Sequence, residues 1–119
     1  MKENLKHKIN LINNWRNPYK LSDNEYVKSS DDQFKRNWLF EFNSFKSNHY
    51  KYLISNYMKF LNEYSINNMT LLDVGCNEGF HSIECLKLNM KFVTGVDVRE
   101  EAIYRSNLMK EYYGLKNIK

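Results

Sequence analysis

The spacing of apolar positions changes near the middle of the chain. Before residue 65 they recur at helical intervals. Leu5, Ile9, Ile12 and Trp15 predict a helix over residues 3–15. Asn17 should stop it, because the residue ahead of Pro18 is pushed out of helical geometry. Residues 19–29 show no period and read as a loop. Ser30 and Gln33 have the spacing of a capping box, and Phe34, Trp38, Phe42 and Phe45 then predict a second helix. Tyr50, Leu53, Ile54, Tyr57, Met58, Leu61 and Tyr64 predict a third over residues 48–64. Aromatic residues at this spacing are read as core rather than as a platform for stacking bases.

Beyond residue 69 the apolar runs are short and each ends in an acid. Residues 70–80 read Thr-Leu-Leu-Asp-Val-Gly-Cys-Asn-Glu-Gly-Phe: a strand carrying Asp73, a turn between Gly75 and Gly79, and the start of a helix over 80–88. Phe80, Ile83 and Leu86 should face inward, and Asn89 should end that helix. Residues 91–98, Lys-Phe-Val-Thr-Gly-Val-Asp-Val, form a second strand that carries Asp97. Residues 100–113 are helical, with Ala102, Met109 and Tyr113 on one stripe and Ile103 near it. Gly114 stands where a left-handed cap belongs. Residues 117–119 approach a third strand.

A strand, a glycine turn and a helix N-terminus form a joint suited to a nucleotide, since glycine lets backbone approach a ligand closely. An acid about 20 residues beyond the glycine loop, at the carboxyl end of the next parallel strand, is placed to accept both ribose hydroxyls. Asp97 meets that requirement. A dinucleotide fold wants G-x-G-x-x-G, and this loop lacks the middle glycine; Asn77 occupies that place and tolerates a left-handed backbone.

The pattern D-x-G-x-x-x-G from Asp73, followed by Asp97, resembles motifs I and II of the class I S-adenosylmethionine (SAM) dependent methyltransferases. Residues 72–79 and 95–100 are similar to the tRNA wobble-uridine methyltransferase-like group. The resemblance covers residues 69–119 and implies an α/β fold: a helical cap over residues 1–68, then a partial doubly wound Rossmann-like unit of β-α-β-α order. It implies SAM as cofactor. Asp73, Gly75, Cys76, Asn77 and Gly79 would shape the pocket for its methionine part, with Glu78 and Phe80 on the same turn, Asp97 on the ribose and Val98 against the adenine. Read without a ligand, Cys76 and Val98 are small packing residues, and Glu78 is a helix N-terminal charge favoured by the dipole. The methyl acceptor, a small molecule or RNA, is not named by any residue, nor is a catalytic group.

Composition narrows the picture a little further. The 119 residues, 42% hydrophobic and 15% aromatic, have the composition of a single globular domain. No apolar run could cross a membrane and no export signal opens the chain, so a cytoplasmic location is expected. Residues 1–68 hold 11 Lys and Arg against 7 Asp and Glu, and residues 69–119 hold 7 of each, so the formal charge of +4 lies outside the cofactor half. That excess fits a solvated helical surface, and Lys35, Arg36 and Arg99 are read as solvated too. Cys76 and Cys85 are about 13 Å apart by helical rise, too far to bridge. His7, His49 and His81 form no metal cluster. A full methyltransferase sheet has more strands than these, so the expectation is an amino-terminal portion of a longer enzyme. Its first strand would leave an open edge for a partner chain or an oligomer to cover. Alternatives are an inactive binding module completed by a partner, and a NAD-binding unit.

Overall fold

The computed structural model describes residues 1–17, 19–28, 56, 59 and 66–119. The chain divides into two compact units, Met1–Leu11 with Ile66–Lys119, and Ile12–Ser65. Helix α1, Lys2–Asn10, therefore groups with the carboxyl-terminal elements.

In the second unit a hairpin pairs β1, Lys20–Ser22, with β2, Glu25–Tyr26. The expected loop over 19–29 is thus partly strand. Tyr19 and Leu21 are buried and alternate with exposed Lys20 and Ser22, while Asp23 and Asn24, both turn formers, reverse the chain. Trp15, expected to be helical, is not; it packs against this hairpin instead. Its N–H donates to the Lys28 carbonyl at 3.0 Å and its ring meets Tyr19 edge to face at 5.8 Å. Helix α1 stops at Asn10, ahead of Pro18 by a full two turns, because Asn13 and Asn14 favour turns over helix. The helices expected from Ser30 and over 48–64 lie outside the described residues, except that Asn56 and Lys59 are helical.

The first unit carries the α/β part. A 3-10 turn, Ile66–Asn68, leads into β3, Thr70–Val74; then come α2, Phe80–Lys87, β4, Phe92–Val96, and α3, Glu100–Tyr112. Strands β3 and β4 are parallel in the register Thr70↔Phe92 to Val74↔Val96. Ile118 bridges in parallel to Val93, so the third strand begins on the far side of β4 from β3, where the sequence expects it. This is the partial doubly wound Rossmann-like unit expected from the pattern.

Helix α2 lies against β3 and β4 and covers the face that carries Leu71, Asp73, Val93 and Gly95. On the opposite face Leu72, Val74, Phe92 and Val96 are exposed. In α2, Ile83 and Phe80 are buried as expected, while Leu86 is half-buried and Cys85 and Ser82 are buried instead. In α3 the buried stripe is Ala102, Arg105, Leu108, Met109 and Tyr112; Tyr113, expected there, is half-buried. Tyr112 follows Arg105 by seven positions and lies about 20° from it around the helix, whereas Tyr113 lies about 80° away. Lys2 of α1 places its ammonium 5.0 Å from the Tyr112 ring. Asn89 takes a left-handed conformation after α2, and Gly114 closes α3 with the paired bonds of a Schellman cap, from the Gly114 N–H to the Glu111 carbonyl and from the Leu115 N–H to the Lys110 carbonyl.

Two glycines bound the loop for different reasons. Both have left-handed backbones, φ +75° at Gly75 and +76° at Gly79. A Cβ on Gly75 would meet open space, whereas one on Gly79 would sit 2.2 Å from Ser106 Oγ and 3.1 Å from Ser106 Cβ. Gly75→Ala should therefore cost about 1–2 kcal/mol of stability, the left-handed penalty alone. Gly79→Ala should cost more, and adding Ser106→Gly should recover the excess while leaving the left-handed part. Urea denaturation of these three variants, and of Ser106→Gly alone to subtract the cost of a glycine inside α3, measures both contributions.

Candidate functional site

The loop between β3 and α2 is held by the end of β4. The N–H groups of Gly75 and Cys76 both donate to the Val96 carbonyl, at 2.8 and 2.9 Å, and the Gly79 N–H donates back to the Cys76 carbonyl at 2.9 Å. The Asn77 N–H donates to Asp97 Oδ2 at 2.9 Å. Four loop donors are thus committed within the protein. Asn77 takes φ +53°, the left-handed conformation its side chain tolerates.

Asp97 follows β4 directly, and its side chain is only 5% exposed. Its Oδ1 accepts the Arg99 N–H at 3.0 Å and Arg99 Nε at 3.0 Å; its Oδ2 accepts Arg99 Nη2 at 3.1 Å besides the Asn77 N–H. Arg99 Nη2 also reaches Asn77 Oδ1 at 2.9 Å. Arg99 is therefore not the merely solvated residue expected from the sequence, although its side chain is 43% exposed. The Arg99 side chain, then the backbone N–H groups of Arg99 and Asn77, hold the Asp97 carboxyl far below the usual carboxylate range, and the ion pair holds the guanidinium above its own. Asp97 is an anion at any physiological pH.

On the α2 side, Asp73 Oδ2 accepts the Ser82 hydroxyl at 2.6 Å. Gly95 of β4 lets this pair and Cys76 sit close, since a Cβ there would lie 2.9 Å from Cys76 Sγ and 3.2 Å from Ser82 Oγ. Burial, then the Asp73 and Asp97 charges, push the Cys76 thiol up; burial, with Asp73 and Glu84, pushes Cys85 up to about 11. Both cysteines are free.

Glu78 is buried and turns away from the loop toward α3. Its Oε1 accepts Arg105 Nη1 at 2.9 Å, with 1% and 7% of the two side chains exposed, and Arg105 Nη2 also pairs with Glu101. The carboxylate thus serves an ion pair between loop and helix rather than standing as a bare helix N-terminal charge. Phe80 is buried with its ring edge to face with His81. Val98 is 99% exposed beside Asp97, so it is not a packing residue.

The structure brings Gly75, Asn77 and Asp97 together at the carboxyl end of the parallel strands, with Asp73 and Cys76 beneath them. It directs Glu78 and Phe80 into the surrounding packing. Sequence reasoning missed Ser82, Arg99 and Arg105 as partners of the loop acids. Only Arg105 left a local signal, four positions after Glu101. A separate cleft of about 610 Å³ at the amino ends of β3 and β4 is lined by Leu86, Met90, Lys91, Lys116 and Asn117. Among the described residues no group of three or more His, Cys, Asp or Glu could hold a metal, and no helix is long and apolar enough to cross a membrane.

Fold and loop together define a partial Rossmann-like unit. Residues 65–119 match the family model of a methyltransferase domain. Among solved structures the chain is similar to a ribosomal protein L11 methylase from Lactobacillus delbrueckii subsp. bulgaricus, with 24% identity and a TM-score of 0.44. That alignment covers 51% of this chain and 32% of the methylase, so the chain spans about a third of its length. No curated protein matches the chain.

Removing one partner of the Glu78–Arg105 pair strands a buried charge. Arg105→Met should destabilise the protein by about 3–5 kcal/mol, and Glu78→Leu with Arg105→Met should recover most of that loss. Thermal or urea melts of the single and double variants measure it. Burial and raised pKa should also keep both thiols protonated and shielded, so iodoacetamide at pH 8 should leave them unmodified in the native protein and label both in urea. Mass spectrometry reads the labelling.

Proposed function

We propose that residues 65–119 form the SAM-binding part of a methyltransferase, with Asp97 as acceptor for the ribose hydroxyls. The observation that carries this reading is the position of Asp97: an ionised, nearly buried carboxylate at the end of β4, hydrogen-bonded to the Asn77 N–H of the glycine loop. The Asn77 and Arg99 N–H groups supply two of its hydrogen bonds, and a vicinal diol brings two donors of the kind its remaining lone pairs accept. The methyltransferase-domain match over the same residues supports the same assignment.

The rest of the site fits a nucleoside carrying a sulfonium better than a pyrophosphate. The N–H groups of Gly75, Cys76, Asn77 and Gly79, which would face a phosphate in a dinucleotide loop, are spent on Val96, Cys76 and Asp97 instead. Open space above Gly75 leaves room for a ligand to lie against the backbone. Val98, apolar and exposed beside Asp97, offers a flat contact for an adenine. Asp73, tied to Ser82, puts a carboxylate under the loop, where it favours a cation such as the methionine ammonium.

When bound, SAM supplies an electrophilic methyl on a sulfonium. The protein's part is to bind and orient it, so that an acceptor can approach in line with the S–CH₃ bond while water is kept out. The likeness of residues 72–79 and 95–100 to the wobble-uridine group offers RNA as the class of methyl acceptor.

Asp97→Ala should weaken binding of S-adenosylhomocysteine by about 100-fold, from the loss of two hydrogen bonds to a charged group. Isothermal titration checks it. Unchanged affinity would remove Asp97 from the site, and binding of NAD with no response to S-adenosylhomocysteine would replace the cofactor.

A further inference from the structure

An ionised carboxylate has about four lone-pair sites. In Asp97 all four are filled: Oδ1 by the N–H and Nε of Arg99, Oδ2 by the Asn77 N–H and Arg99 Nη2. Two of these donors are backbone groups fixed by the fold, one in the loop and one at the start of α3. The other two belong to one side chain. A ribose diol also brings two hydroxyl donors, and it cannot be accepted while the guanidinium stays in place.

We infer that the Arg99 side chain is a built-in substitute for the ligand's diol, so that a nucleoside enters by exchanging its two hydroxyls for the two guanidinium bonds on Asp97. The inference rests on the cofactor reading of Asp97 given above. Three features fit an exchangeable clasp rather than a fixed ion pair. The Arg99 side chain is 43% exposed, so it has solvent to swing into, unlike that of Arg105, which is 7% exposed in its own pair. Nη2 bridges to Asn77 Oδ1 on the loop, so the closed clasp ties loop to strand end over the carboxylate. The backbone donors from Asn77 and Arg99 remain when the side chain leaves, so Asp97 keeps two bonds throughout the exchange.

Arg99 in this role sets both affinity and specificity. It keeps the empty acid compensated, and it makes binding depend on a ligand that returns two donors. A ligand with no hydroxyl has nothing to exchange for the guanidinium bonds and binds beside the closed clasp without displacing it. If the open form is about one tenth of the population, the closed clasp lowers apparent affinity about tenfold.

The test is a titration of the full chain and of its Arg99→Ala, Arg99→Gln and Arg99→Lys variants, each with S-adenosylhomocysteine and with its 2′,3′-dideoxy analogue. Arg99→Ala and Arg99→Gln should bind S-adenosylhomocysteine about tenfold more tightly than the wild type, with the dideoxy analogue unchanged. Arg99→Lys, whose ammonium cannot make the paired contact, should fall between. Far-ultraviolet circular dichroism confirms the fold of each, and the glutamine variant carries the comparison where alanine disturbs the start of α3. Weaker or equal binding of S-adenosylhomocysteine by the alanine and glutamine variants would make Arg99 a ligand contact or a bystander and overturn the exchange. An equal gain for both ligands would do so too. If no form binds S-adenosylhomocysteine, the cofactor reading itself fails, and the exchange fails with it.

Discussion

The Val96 carbonyl is the point on which the site depends. It accepts from Gly75 and Cys76 together, which pins the first two loop residues to the end of the neighbouring strand. This geometry requires a chain that turns immediately after Val74, hence the positive φ at Gly75, and a parallel partner whose last residue is level with it, hence the Val74↔Val96 register. Asp97 is the next residue after the pinned carbonyl. Its carboxylate therefore arrives beside Asn77 as a consequence of backbone pairing, without any long side chain having to find its way there.

Around that anchor the protein spends small residues to bring polar groups close. Gly95 has no side chain because Cys76 and Ser82 lie over it, and Gly79 has none because Ser106 of α3 lies against it. These two contacts draw α2 and α3 toward the loop and leave the acids in distinct environments. Asp73 is half-buried and holds a hydroxyl, Glu78 is fully buried against an arginine, and Asp97 is nearly buried but fed by a guanidinium that solvent can reach. The same charge thus has a hydroxyl, a buried arginine and an exposed arginine as partners around one loop.

Much of the α/β unit was legible because its signals are local. Apolar runs of four or five residues, glycines at 75, 79 and 114, and asparagines at 77 and 89 report backbone conformations that neighbours alone demand. The helical reading across Trp15 failed for the opposite reason. Ile12 and Trp15 continue the period of Leu5 and Ile9, but a periodic pattern does not say which partner buries each residue. Trp15 is buried with its N–H on Lys28, thirteen positions away, and the Asn13–Asn14 pair lets the helix end before it.

Within residues 69–119 the sequence by itself determined the order of strands and helices, the left-handed turns and the placing of one acid after β4, since each follows from steric limits on a few consecutive residues. Tertiary structure alone decided where the charges go. Glu78 and Arg105 are 27 positions apart, and Arg99 and Asn77 are 22 apart; nothing in either neighbourhood selects the other. Charged side chains are long, and any of several partners would satisfy them in an unfolded chain. Only the fixed separation of loop, strand end and helix selects among them.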